Sequence, residues 1–182
     1  SGASLLMADG AVVMTGGSNT GNIRLKAAGD ITVGQLDARV AADRTAAALT
    51  GQSGWGAVSV VSTGGSILDN DAEVTAGSTD VYASELRLNA ATPGKSLGQS
   101  ANALETEVVT LSAVAGTAGL YVTEASALTI GQTAAVTVNR VKTDGTVSSS
   151  VQTDAAQSNL SSAGNLIVVT TAGSLQTLAA GG

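Results

Sequence analysis

The stretch Gly21-Asn22-Ile23-Arg24-Leu25-Lys26-Ala27-Ala28-Gly29-Asp30-Ile31-Thr32-Val33-Gly34-Gln35 aligns without a gap on Ala118-Gly119-Leu120-Tyr121-Val122-Thr123-Glu124-Ala125-Ser126-Ala127-Leu128-Thr129-Ile130-Gly131-Gln132. Apolar residues coincide at Ile23/Leu120, Leu25/Val122, Ile31/Leu128 and Val33/Ile130, and Gly34-Gln35 recurs as Gly131-Gln132. A second ungapped pair is Gly56 to Ile67 against Gly164 to Leu175, with Ser62-Thr63 answered by Thr170-Thr171. All four segments share one grammar: a glycine, an alternating strand, a turn of small residues, and a second alternating strand. Alternation with period two places one face inside and one in water.

The four segments start at 21, 56, 118 and 164, so they are 35, 62 and 46 residues apart. Taken as two, three and two turns of a stack, these spacings give about 20 residues per coil, within the range of solenoid repeats. The expectation is an all-β, right-handed parallel β-helix (β-solenoid) of about nine coils, forming a single segment over 1–182 excised from a longer repetitive chain. Leu5-Leu6-Met7 with Val12-Val13-Met14, Val81-Tyr82-Ala83 with Leu86-Arg87-Leu88, and Val108 to Leu111 supply intermediate coils. Two segments break the pattern. The Ala-rich 41–54 predicts a loop excursion with a short helical turn at 43–49. The alternating arms about Asp144-Gly145 predict a hairpin over 136–151.

Composition supports thin, regular packing. The chain has no Phe, His or Cys, one Trp, one Pro, two Tyr and 23 Gly in 182 residues. An antiparallel sandwich also shows short strands with regular turns, but its core usually draws on aromatic rings. Tight hairpins favour Asn-Gly or Asp-Gly, and only Asp9-Gly10 and Asp144-Gly145 occur. A net charge of −6, with three Lys and five Arg scattered along the chain, excludes a nucleic-acid partner. A mean hydropathy of +0.28 argues against intrinsic disorder. No run approaches the ~18 apolar residues of a membrane helix, so no membrane insertion is expected.

With Gly-Asn-Ile-x-Leu-x-Ala-x-Gly-x-Ile at 21–31, Gly64-Gly65-Ser66-Ile67-Leu68-Asp69-Asn70, and Asn102 to Thr106 leading into Gly119 to Val122, the chain resembles the repeat regions of giant bacterial exoproteins and filamentous-haemagglutinin-like adhesins. The resemblance covers all but the two excursions, and its motifs are of low complexity. It implies a β-helical fibre, extracellular or on the bacterial cell surface, that mediates attachment, cell–cell cohesion or matrix formation. Its implied partners are further copies or repeats of the same protein, end to end or laterally, and cell-surface glycans. It carries no catalytic residues or cofactor.

The alternative is a carbohydrate-binding or polysaccharide-degrading β-helix. Polysaccharide hydrolysis generally uses paired carboxylates, and the corresponding lyases use carboxylate-bound calcium with a basic residue. Asp69, Asp71 and Glu73 are the compact acidic group and a candidate calcium or catalytic site. Asp69 and Asp71 stand about 7 Å apart on one side of a strand. A solvated turn is the plainer reading. Glu105 and Glu107 repeat the i, i+2 pattern.

Without His or Cys, imidazole triads and thiolate zinc sites are excluded. Pro93-Gly94-Lys95-Ser96 ends like a phosphate loop, but Asn89 stands where the first glycine belongs. No Gly-Gly-x-Gly-x-Asp calcium repeat and no regular threonine column occurs. Trp55, between two glycines, suggests a packing cap or a sugar-stacking contact. Asp144 and Gly145 are candidate partner contacts at the hairpin tip, since excursions often carry specificity.

Overall fold

Strands rich in Val, Ile and Leu that alternate with Ser and Thr can bury one face only if other strands cover their edges. The computed structural model describes residues 2–15, 21–45, 52–71, 79–142 and 144–178. Among these the fold is all-β, and 15 strands join into one continuous sheet whose pairings are all parallel. The strands stack in three ladders, giving a solenoid-like body.

The first ladder runs Ile23–Ala27, Val58–Ser62, the second half of Val81–Ala90, the second half of Leu104–Ala115, then Leu160–Ser162. Its register sets Ile23 on Val58, Val58 on Leu86, and Leu86 on Leu111. The second ladder superposes Leu5, Ile31, Ile67, Leu97, Leu120 and Leu166. The third sets Val13 on Leu36, Leu36 on Val81, Val81 on Thr106, and Thr106 on Glu124, then closes with Leu128 on Leu175. In the interior of the first two ladders like residues pile on like, so Leu, Ile or Val is buried against its counterpart one level away, whereas the third also stacks Thr106 and Glu124. Burying each such side chain is worth about 1.5–3 kcal/mol before entropy is counted.

The register corrects the expected coil. Successive strands of the second ladder are 26, 36, 30, 23 and 46 residues apart, six strands among the described residues where nine coils of about 20 were expected. The segments at 21 and 56 lie directly on one another, as do those at 118 and 164, so spacings of 35 and 46 are single steps. The match of 21–35 to 118–132 compares the first and second ladders with the second and third. Every corner uses the same strand–turn–strand grammar, so similarity alone does not say which segments stack. At about 4.8 Å per step the second ladder spans about 24 Å.

The initiating glycines have a packing reason. A Cβ on Gly56 would overlap the Gly21 carbonyl, and one on Gly164 would overlap the Thr117 carbonyl. The corners of neighbouring levels approach too closely for any side chain.

The hairpin is present, and the first excursion is described at 41–45 and 52–54. Ala41–Thr45 forms a 3-10 helix, which matches the start of the expected helical turn; 46–49 lie outside the described residues. Val136–Val141 and Val147–Asp154 form the antiparallel hairpin, with a bulge between Asn139 and Val141. Its base lies back on the first ladder. Arg24 donates from Nε and Nη2 to the Asp154 carboxylate, both at 2.9 Å, and Ser59 Oγ donates to Asp154 at 2.9 Å. Arg87 Nε donates to the Ala155 carbonyl at 2.9 Å, and Asn22 Nδ2 to the Thr137 carbonyl at 3.2 Å. This cover explains why Ser59, on the side of Val58–Ser62 opposite Val58 and Val60, is buried.

One buried acid belongs to the stack itself. Glu124 is fully enclosed and accepts hydrogen bonds from Thr106 Oγ1 at 2.7 Å and Val108 N at 3.0 Å. Burial pushes its pKa up to about 8, against the pull of these donors, with the Glu107 charge adding to the rise.

Three outcomes follow from this packing. Gly56→Ala should lower stability by about 1–3 kcal/mol in urea denaturation, because the stacked backbone must shift. Asp154→Ala should cost about 2–4 kcal/mol by stranding Arg24 and Ser59. For Glu124 the native pKa lies above the unfolded one, so its stabilising share is complete below about pH 4.5 and disappears as pH rises through about 8. Melting temperature should therefore fall from pH 5 to pH 8.5, and fall less in Glu124→Gln.

Candidate functional site

Strand Ile67–Asp69 alternates so that Ile67 and Asp69 share the inward side. Asp69 thus occupies the register position held by Val33 one level away, a carboxylate where the stack elsewhere places an aliphatic side chain. The Asp71 amide donates to Asp69 Oδ1 at 3.1 Å, which turns the chain back toward the body. Asp80 precedes the strand Val81–Ala90 and is buried; its Oδ2 accepts from the Glu105 amide at 2.9 Å, and its own amide donates to the Glu105 carbonyl at 2.9 Å. That register brings Glu105 over the group. One carboxylate oxygen each from Asp69, Asp71 and Glu105 lie within 4.8 Å of one another. Asn102 Nδ2 donates to the Asp71 carbonyl at 2.8 Å and closes the side.

Asp69, Asp71 and Asp80 border an open cleft of about 330 Å³ whose wall also includes Asp9, Gln35 and Thr79. The Asp69 and Asp80 carboxyls are hydrogen-bonded to one another, and Asn102 Oδ1 is buried without a donor among the described residues. Burial raises the pKa of Asp69, and burial followed by the Asp69 charge pushes Asp80 up to about 10. The wall carries no Lys, Arg or aromatic side chain among the described residues. Chemically the arrangement can share protons or hold a hard cation through carboxylate oxygens.

Of the acidic residues singled out in the sequence, Asp69 and Asp71 come together, and Glu73 lies outside the described residues. Glu105, read in the sequence as half of a pair with Glu107, joins Asp69 and Asp71 instead, while Glu107 accepts from Ser126 Oγ at 2.6 Å. Asp80 and Asn102 had no signal in the sequence. Their roles depend on a register 25 residues long, Val81 on Thr106.

Trp55 is only 4% exposed, so its indole packs and is not presented to a ligand. Its Nε1 donates to Asp43 Oδ2 at 2.6 Å, and its ring stands edge-on to Tyr82 at 6.4 Å. The Arg39 guanidinium lies 3.6 Å over the Tyr82 ring and donates to Asp37 at 3.0 and 2.7 Å. Arg44 bonds Asp37 and the carbonyls of Thr15 and Arg39. Burial alone would raise the Asp37 pKa; the bonds and charge of Arg39, with the charge of Arg44, hold it below the ordinary value. This knot fastens the 41–54 excursion to the body.

Asp144 and Gly145 are exposed at the hairpin tip. Thr146 donates to Asp144 Oδ1 from its amide at 2.9 Å and its hydroxyl at 2.7 Å, and Gly145 takes φ of 81°, so both residues shape the turn.

No helix among the described residues is long and apolar enough to cross a membrane. Comparison with protein-family models, with curated proteins and with solved structures gave no match.

Proposed function

We propose that the chain is a segment of a right-handed parallel β-solenoid that serves as a structural, adhesive fibre of a secreted or surface-displayed bacterial protein, and that it works by contact and not by catalysis. The observation that carries this reading is the state of the two ends. Among the described residues Leu5–Leu6 and Val12–Met14 are paired on one side only, as are Leu166–Thr170 and Leu175–Thr177 at the opposite end. Leu6 is 75% exposed, Met14 56%, Ile167 47% and Leu175 46%. Unpaired strand edges with apolar side chains are templates for further strands. The two ends are different surfaces, so a contact between them is head-to-tail, whether with a second copy or with further repeats of the same chain. The partners this reading implies are other copies or further repeats of the same protein, with cell-surface glycans along the flanks. The haemagglutinin-like repeat style, small-residue core and sparse charge agree with that role.

The acidic cleft favours a second reading, a polysaccharide-degrading site using Asp69 and Asp71. It is the weaker one, because the described wall lacks any aromatic or basic group to seat an acidic sugar.

Velocity sedimentation over a hundredfold range of concentration should show end-on association that Leu6→Lys and Ile167→Lys each abolish without loss of the β-rich circular dichroism spectrum. A chain that stays monomeric throughout would sink the end-on reading. Turnover of an acidic polysaccharide that disappears in the Asp69→Asn, Asp71→Asn double variant would replace it with the enzymatic one.

A further inference from the structure

We infer that Glu124 is a proton latch beneath the exposed end of the stack: neutral, it keeps the last described level seated, and ionised, it releases that level and the end surface with it. Its bearing on assembly rests on the end-on reading above; the latch itself does not. Glu124 ends the strand Gly119–Glu124 and is fully buried. Thr170 of Leu166–Thr170 lies on it, and the Thr171 amide then donates to the Glu124 carbonyl at 2.8 Å while Thr171 Oγ1 donates to the Ala125 carbonyl at 3.0 Å. On its other side Leu166–Thr170 pairs with nothing among the described residues. The inner cover of Glu124 is the strand Leu104–Ala115, which pairs with four others. In a stack, an end level can open without disturbing the rest. Water therefore reaches this carboxyl at least cost by lifting the last level.

The bonds round the carboxyl suit the neutral acid. Its Oε2 lies 2.7 Å from Thr106 Oγ1, and that hydroxyl is also 3.4 Å from the Thr123 carbonyl. A protonated Glu124 can donate to Thr106 Oγ1 while the hydroxyl turns to the carbonyl, and Oε1 still accepts from the Val108 amide at 3.0 Å. Every hydrogen then has an acceptor. The ionised form adds a charge that no Lys or Arg matches among the described residues. The charged group that faces it is Glu107, from Leu104–Ala115, itself buried. Ser126 joins the two acids, its amide donating to Glu124 Oε1 at 3.4 Å and its Oγ to Glu107 Oε1 at 2.6 Å. Residues 125–133 and 160–178, which form the corner and the last level, contain no charged or titratable side chain. Ionising Glu124 in place would set two uncompensated carboxylates side by side in the interior, so water must be admitted. The seated level holds the extra proton. The ratio of seated to lifted forms is thus greatest below about pH 4.5, falls by up to tenfold per pH unit, and levels off above about 8.

The test uses the full chain at pH 6 and pH 8. In carbon-13 NMR the Glu124 carboxyl should titrate at least about two pH units above an exposed glutamate. Amide hydrogen exchange, corrected for its intrinsic pH dependence, should show the protection of residues 166–171 falling by about tenfold or more from pH 6 to pH 8, and that of Val58–Ser62 falling less. Glu124→Gln should abolish the fall. In velocity sedimentation, wild type should associate more weakly at pH 8 than at pH 6, and Glu124→Gln equally at both. Titration of Glu124 in the ordinary carboxyl range, or unchanged protection of 166–171, would overturn the latch. An equal loss of protection at Val58–Ser62 would overturn it too, since the whole body would then be opening. Equal association of wild type at both pH values would overturn the control of assembly. A chain monomeric at both, with the change in exchange intact, would instead overturn the end-on reading and uphold the latch. The wild-type titration and exchange decide the matter even if Glu124→Gln fails to fold.

Discussion

Parallel backbone pairing between levels is the constraint on which everything else depends. A parallel strand cannot meet its neighbour through a tight hairpin, so the chain must travel round the body before it returns to the same ladder. Once it does, the pleat fixes which residues face inward, and a slip of one residue would turn Ile31, Ile67 and Leu97 out into water together. The stack of Leu5, Ile31, Ile67, Leu97 and Leu120 is therefore both the source of stability and the device that holds register. The small-residue composition fits this arrangement. A column of aliphatic side chains repeated every level needs no ring to fill it, and the one tryptophan is used outside that column, to fasten an excursion.

The strand grammar was legible in Ile23–Ala27 and Ile31–Val33 because alternation is a local property of the chain. The hairpin about Asp144-Gly145 was legible for the same reason. The length of a coil was not. It depends on which segments lie on one another, and four segments of like pattern can be threaded in several ways with equal local satisfaction. The candidate site divides along the same line. Asp69 and Asp71 are neighbours in sequence and could be picked out directly. Glu105 and Asp80 reach them only through the long-range register of Val81 on Thr106, and Asn102 only through a side-chain bond across 31 residues. Trp55 is a similar case: flanking glycines suggested exposure or a cap, and only the position of Asp43 and Tyr82 decides between them.

The buried carboxyls of this body are not all treated alike. Asp37 is matched by two arginines, and Asp154 by Arg24 and Ser59, so both remain charged with their pKa values held low. Glu124 has hydrogen-bond donors but no cation, and its pKa rises. Asp69 and Asp80 have still less, and theirs rise as well. The molecule thus grades its buried carboxyls from fully compensated to scarcely compensated, and the least compensated ones border the open cleft.

The unequal steps between levels, from 23 to 46 residues, carry an evolutionary consequence. Each ladder sets its register locally, so residues inserted at a corner alter neither the cross-section nor the alignment of the strands on either side. The hairpin shows this: the longest step still returns Leu166 onto Leu120. Such a scaffold can acquire or lose projections by simple insertion and deletion at its corners while selection on the strands stays nearly constant, so novelty and conservation are kept in separate parts of the same chain.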